Sequence, residues 1–94
     1  MKPTEFIINL LNYLKTIWPN DSKLHIVYAY DKTTNFHIIE IDTETDKYRN
    51  KTYVDWNIYV YKQFTKLYPY EDILISEPDE CDDMSNVIYE LTKK

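Results

Sequence analysis

The chain has 94 residues and a mass of 11.5 kDa, which is enough for one small domain but not for two domains with separate cores. Hydrophobic residues make up 44% of the sequence and charged residues 29%, a composition typical of a globular protein. The chain contains no glycine, so it excludes the standard P-loop, dinucleotide-binding loop and EF-hand loop, which use glycine where the backbone turns sharply or approaches a ligand.

Acidic residues exceed basic residues by 16 to 11, which gives a net charge of −5. The excess lies in residues 71–94, which contain eight acidic residues and two lysines. This balance repels a phosphate backbone, and the one basic cluster, residues 47–51, is short, so we expect no nucleic-acid partner. No apolar run reaches the roughly 18–20 residues of a membrane span. The single cysteine, Cys81, cannot form an internal disulfide, and we expect a cytoplasmic, reducing location.

The first half of the chain predicts a helix followed by a hairpin. Apolar residues between Thr4 and Trp18 recur at helical spacing, with Thr4 as the predicted cap and Pro19 as the stop. Residues 24–30 and 36–42 are rich in β-branched and aromatic side chains, which is typical of strands. The five residues between them are polar and predict a turn.

The second half predicts another helix and one or two further strands. Thr52 begins a capping-box-like pattern, and a stripe of apolar residues follows until Pro69: Trp56, Val60, Phe64 and Leu67. Residues 73–75 predict a buried strand, residues 76–86 an acidic loop, and residues 86–91 a strand or a helical turn. We therefore predict a single α+β domain over residues 1–94, with two layers in the order α-β-β-α-β(-β). In this fold both helices pack on one face of a small sheet that contains the antiparallel hairpin.

The hairpin is apolar on both faces, which suggests a docking surface. A five-residue turn would pair Tyr30 with Phe36 and Tyr28 with Ile38, and would put these four side chains on one tyrosine-rich face. Because two helices can cover only one face, we expect the aliphatic face to lie under the helices and the tyrosine-rich face to bind a partner. The alternative is that the C-terminal segment, or one of the helices, folds over the tyrosine-rich face and makes it part of the core.

Acidic residues in the predicted loop suggest a role in steering a partner: Glu77, Asp79, Glu80, Asp82 and Asp83. Carboxylates are ligands for Ca²⁺ and Mg²⁺, but the spacing matches no standard cation-binding loop. We therefore expect a hydrated acidic segment that attracts a basic protein, with no metal and no cofactor.

The sequence offers little for catalysis. The predicted register separates His25 from His37 by about 13 Å on one face, too far for a shared metal ion. Acidic neighbours raise the pKa of the Cys81 thiol, which is the reverse of what a nucleophile needs. No serine lies in a recognisable nucleophile motif. We predict no catalytic residue.

We therefore interpret the chain as a non-enzymatic protein-binding module of the kind found among inhibitors, immunity proteins and antitoxins of bacteria or phages. Its predicted partner is another protein, basic in charge, bound through the tyrosine-rich face and the acidic loop. One alternative is a homo-oligomeric structural domain in which a second copy, for example in a homodimer, covers the apolar face. A further alternative is a small enzyme that uses Glu40, Asp42 and His37 as acid and base.

Overall fold

A computed structural model describes residues 1–78 and 82–94 of the chain. The elements are α1 (Pro3–Ile17), β1 (Leu24–Asp31), β2 (Phe36–Thr43), a short 3₁₀ helix (Lys47–Arg49), α2 (Lys51–Leu67), β3 (Asp72–Ser76) and β4 (Val87–Lys93). The strands form one mixed sheet in the order β3-β2-β1-β4, in which β3 runs parallel to β2 and the other pairs are antiparallel. The predicted two-layer α+β fold, with both helices on one face, is confirmed.

Both helices begin differently from the prediction. Helix α1 starts at Pro3, whose fixed φ angle suits the first turn, and no side chain caps it, so Thr4 is not its cap. Helix α2 starts after Asn50, whose side-chain oxygen accepts a hydrogen bond from the amide of Tyr53. Asn50, two residues before Thr52, therefore fixes the start of the second helix.

The core lies between the helices and one face of the sheet, which we call the inner face. Its buried residues from the helices are Ile7, Leu11, Leu14, Tyr53, Trp56, Val60 and Phe64. Inner-face residues of the sheet complete it: Leu24, Ile26, Tyr28, Ile39, Ile41, Ile73 and Leu91. Leu67, a predicted core residue, is the last residue of α2 and is 51% exposed. None of the helices in the described ranges is long and apolar enough to cross a membrane.

The hairpin register differs by one residue from the prediction. Tyr28 pairs with Ile39 and Tyr30 with His37, because Asp31 belongs to β1 and the connection has four residues rather than five. The carboxylate of Asp31 accepts a hydrogen bond from the amide of Thr33 within this turn. Asn35 closes the turn with φ at 62°, a left-handed conformation that asparagine tolerates without glycine. Relative to β1, the shift moves every side chain of β2 to the opposite face, so Tyr28 shares the inner face with Ile39 rather than with Ile38.

The connection from β3 to β4 passes from one edge of the sheet to the other. Ser76, the last residue of β3, lies beside Glu40 on the face away from the helices, and its hydroxyl donates a hydrogen bond to Asp82. Asn86, just before β4, exchanges hydrogen bonds with the backbone of Tyr30. Asp82 therefore lies on the face that the helices do not cover.

Candidate functional site

The face of the sheet away from the helices, which we call the outer face, is rich in carboxylates. Residues paired in the register share a face, and alternate residues along a strand change face. The outer face therefore carries His25, Val27, Ala29, Asp31, Phe36, Ile38, Glu40, Asp42, Asp72, Leu74, Ser76, Val87, Glu90 and Thr92. Five of these strand residues are acidic and none is lysine or arginine. The outer face of the hairpin therefore carries carboxylates, whereas the tyrosines predicted for a binding surface lie on the inner face.

Apolar side chains lie between the outer-face carboxylates. Val27, Phe36 and Leu74 are half-buried, and each presents part of its surface to solvent. Ala29 and Ile38, on the two central strands, are 0% and 3% exposed although both helices pack on the other face. The centre of the outer face is therefore already covered. The apolar surface that this face offers to solvent belongs to Val27, Phe36 and Leu74, which lie among the carboxylates.

Two interactions set the electrostatics of the outer face. Burial raises the pKa of Glu40, and the negative charge of Asp82 raises it further, because both effects disfavour the ionised carboxylate. The imidazole Nε2 of His25 contacts the carboxylate of Glu90 on the neighbouring strand. Asp42 is paired opposite His25 in the register. Negative charge is thus concentrated where β1, β2 and β4 run side by side.

The acidic segment is anchored at its start by Glu77. This carboxylate accepts hydrogen bonds from the buried Lys47 Nζ at 2.7 Å and from the Tyr48 hydroxyl at 2.6 Å. Burial acts to raise the pKa of Glu77, but the hydrogen bonds from Lys47 and Tyr48 outweigh it and hold that pKa below its usual value. The hydrogen bond to Glu77 in turn raises the pKa of Tyr48. Glu77 is therefore a structural anchor rather than a hydrated side chain of an acidic loop.

The other predicted residues of the acidic segment have different surroundings. Asp82 is half-buried beside Ser76, and Asp83 accepts hydrogen bonds from the amide and hydroxyl of Ser85. These hydrogen bonds lower the pKa of Asp83. Asp79 and Glu80 lie outside the described residues, as does Cys81. Sequence alone could not have found the anchoring pair, since Lys47 and Glu77 are 30 residues apart.

The predicted tyrosine-rich face does not exist as one surface. Tyr28 and Tyr30 lie on the inner face, where Tyr28 is fully buried and Tyr30 is half-buried at the end of the sheet. Phe36 and Ile38 lie on the outer face, where Phe36 is half-buried and Ile38 is buried. The grouping of these four residues was wrong because it depended on a turn one residue longer than the actual one.

A buried polar chain connects Tyr28, His37 and Glu71 under the helices. The Tyr28 hydroxyl lies 2.6 Å from Nδ1 of His37, and Nε2 of His37 lies 3.5 Å from a carboxylate oxygen of Glu71 without a hydrogen bond. Burial raises the pKa of Tyr28 and lowers that of His37, so both side chains are neutral near pH 7. The hydrogen bond between the tyrosine hydroxyl and Nδ1 therefore joins two neutral groups. Phe64 packs edge-on against the imidazole with ring centroids 5.6 Å apart.

The histidines and carboxylates considered for catalysis are separated by the sheet. His25 lies on the outer face and His37 on the inner face, so the expectation that they share a face was wrong. Glu40 and Asp42 lie on the outer face and cannot act together with His37. Among residues 1–78 and 82–94 there is no group of three or more His, Cys, Asp or Glu placed to hold a metal ion. The basic cluster at 47–51 is divided, because Lys47 is buried against Glu77 and Lys51 is paired with Asp55.

Comparison of the chain with protein-family models, curated proteins and solved structures found no significant match.

Proposed function

We propose that this chain is a non-enzymatic protein-binding module that docks a basic protein on the outer face of its sheet. The observation that carries the proposal is the composition of this face, in which five carboxylates accompany the half-buried Val27, Phe36 and Leu74 without any lysine or arginine: Asp31, Glu40, Asp42, Asp72 and Glu90. An apolar patch with a polar border is typical of protein interfaces. A border of one charge sign selects partners of the opposite sign and accelerates their association.

The acidic segment extends this surface. Glu77 and Asp82 tie it to the 3₁₀ helix and to β3, so that part of its charge lies beside Glu40 rather than far from the sheet. Side chains held in place, as Glu77 and Asp82 are, lose less conformational entropy on binding than freely rotating ones, and their charges act from a fixed position. An inhibitor, immunity protein or antitoxin would use such a surface to cover a basic active site or a nucleic-acid-binding surface of its target.

The polarity of the outer face disfavours a second copy as its occupant. Every copy carries the same acidic border, so pairing two outer faces would bring like charges together across an interface. Half-buried apolar residues such as Phe36 and Leu74 are better matched by a partner with lysine or arginine at its rim and an apolar centre. This argument makes a basic protein the preferred partner.

The proposal is tested with a peptide of ten lysines titrated into the ¹⁵N-labelled chain. The test variant, Glu40→Gln with Asp42→Asn and Glu90→Gln, removes three carboxylates of the outer face. The control variant, Glu5→Gln with Asp21→Asn and Asp55→Asn, removes three carboxylates elsewhere, so both variants change the net charge from −5 to −2. We expect amide shifts on the outer face, about tenfold weaker binding by the test variant and weaker binding in high salt.

The control variant distinguishes binding at the outer face from attraction by the net charge of the chain. Equal weakening in both variants, or shifts spread evenly over helices and sheet, would mean that only the net charge attracts the peptide and would refute the proposal. The variant Phe36→Ser then tests whether the half-buried Phe36 contributes to binding. We expect weaker binding of a peptide in which lysine alternates with leucine, and unchanged binding of the peptide of ten lysines.

A further inference from the structure

A second surface of different character lies on the solvent side of the two helices. The helices run antiparallel, as shown by the contact of Phe6 with Tyr68 at one end and of Trp18 with Tyr53 at the other. Between them is a groove of about 560 Å³ lined by Leu10, Tyr13, Ile17, Thr52, Asp55, Trp56 and Tyr59. This groove is on the opposite side of the molecule from the outer face of the sheet.

The groove is apolar, accessible and formed in advance. Its walls include Tyr13 and Tyr59, which are 57% and 51% exposed, and its sides include the half-buried Leu10 and Ile17. The indole Nε1 of Trp56 donates a hydrogen bond to the backbone oxygen of Leu10 at 3.1 Å, which ties the two helices together at the floor. Accessible aromatic side chains in a fixed concave surface are a frequent feature of protein-binding sites.

The spacing of the lining residues matches the repeat of a helix. Leu10, Tyr13 and Ile17 recur at i, i+3 and i+7 on α1, so the apolar stripe extends for about two turns, or roughly 10.5 Å. Two parallel ridges of this kind leave a channel into which the side chains of a third helix can insert. Helix-in-groove recognition uses apolar residues of the bound helix at the same spacing.

Positive charge lies on α2 beyond one end of the groove. Of the residues that the structure describes, Asp55 is the only charged one that lines the groove, and it is paired with Lys51 at 2.7 Å. The stripe of α2 that contains Thr52 and Tyr59 continues at helical spacing to Lys62 and Lys66, about one and two turns past Tyr59. Both lysines are exposed, and neither takes part in an ion pair within the described residues. A helix that extends past this end of the groove therefore meets charge opposite to that of the outer face.

We propose that the groove binds an amphipathic α-helix of a partner protein, with apolar residues at i, i+4 and i+7 and acidic residues at the end beside Lys62 and Lys66. The size of the groove favours one helix over a second copy, because seven lining residues are far fewer than the about 20–30 per side of a stable protein interface. Charge also favours an acidic helix as the occupant. A second copy would bring its own Lys62 and Lys66 to the interface, whereas an acidic helix would neutralise these lysines.

The experiment uses two 15-residue peptides with leucine at i, i+4, i+7 and i+11, one with glutamates at one end and the other with lysines there. Each peptide is titrated into the ¹⁵N-labelled full chain, and amide shifts are followed to about 1 mM peptide. We expect shifts at the groove residues and about tenfold tighter binding of the glutamate peptide. The double variant Lys62→Glu with Lys66→Glu is expected to reverse this preference.

Two single variants of similar exposure provide the matched control. Tyr59→Glu, in the groove, is expected to weaken binding of the glutamate peptide at least about tenfold. Ile58→Glu, at 49% exposure on the same helix but outside the lining, is expected to leave binding unchanged. Thermal unfolding verifies that both variants are folded. We expect both to fold, because the Tyr59 and Ile58 side chains are about half exposed in the native chain.

Three results would overturn the proposal. One is the absence of shifts at the groove, and another is equal affinity for the glutamate and lysine peptides. The third is dimerisation of the free chain that Tyr59→Glu abolishes, which would identify a second copy as the occupant. Because the lysine peptide is also expected to bind the acidic outer face, both affinities are taken from the shifts of the groove residues alone, and the ten-lysine titration reports on the outer face separately.

Discussion

The hydrogen bond between Tyr28 and His37 provides a direct test of the register of the hairpin. In the actual register both side chains lie under the helices, with the tyrosine hydroxyl 2.6 Å from Nδ1. Tyr28→Phe keeps the ring and its packing and removes only this hydroxyl. His37 then has no hydrogen bond at Nδ1, and its Nε2 already has none. The variant therefore leaves a buried imidazole without any hydrogen bond, with the Glu71 carboxylate 3.5 Å from Nε2.

The magnitude follows from the cost of an unsatisfied buried polar group, which is about 1–3 kcal/mol. Part of this cost is offset because phenylalanine has no hydroxyl to remove from water, so we expect a loss of about 1.5–2 kcal/mol in the free energy of unfolding. In a domain of this size each kcal/mol lowers Tm by roughly 4–8 °C, and Tm should fall by about 6–15 °C. Tyr53→Phe is the control, because the buried Tyr53 hydroxyl makes only a 3.3 Å hydrogen bond with Asn57.

Urea denaturation followed by tryptophan fluorescence measures the change, since Trp18 and Trp56 are both buried in the core. The decisive comparison is a double-mutant cycle with His37→Leu. Without the imidazole the Tyr28 hydroxyl has lost this partner, so Tyr28→Phe should become neutral or stabilising in that background. An equal loss in the presence and absence of His37 would show that the hydroxyl does not act through the imidazole and would refute the reasoning.

Three further predictions concern stability. Because burial holds the folded-state pKa of His37 below its usual 6.5, the unfolded chain binds more protons below that pH. The stabilisation is complete above pH 6.5 and is lost as the pH falls through the folded-state pKa. His37→Leu should reduce this loss in urea titrations between about pH 5 and 7, and an unchanged slope would contradict the assignment. Lys47→Met leaves Glu77 without its cation and should lower the free energy of unfolding by about 1–2 kcal/mol. The double variant Lys47→Met with Glu77→Gln should recover part of that loss in urea denaturation, and no recovery would contradict the proposed ion pair. Asn50→Ala should cost about 1 kcal/mol in chemical denaturation, while Thr52→Ala should cost little, and the reverse order would restore Thr52 as the cap.

The elements themselves could be read from the sequence because their signals are local. Apolar spacing predicts both helices, and Pro19 and Pro69 mark their ends within two residues. Runs of β-branched and aromatic residues predict the strands, and the absence of glycine excludes several ligand-binding loops. Each of these signals depends on neighbours within one or two turns of chain, so no knowledge of the tertiary structure is required.

The candidate surfaces depended on longer-range facts. A turn shorter by one residue decided which side chains of β1 share a face with those of β2, and so separated Tyr28 from Ile38 and His25 from His37. Nothing in the local sequence distinguishes a four-residue from a five-residue connection between these strands.

The amino-acid sequence thus determined the secondary structure, the two-layer α+β class and the concentration of acid near the C-terminus. Tertiary structure decided that β3 joins the sheet in parallel at the far edge, and that Glu77 is fixed by Lys47 from a distance of 30 residues. The physical reason is that helix and strand signals arise from periodic burial along the chain, whereas a binding surface arises from the register in which distant segments meet.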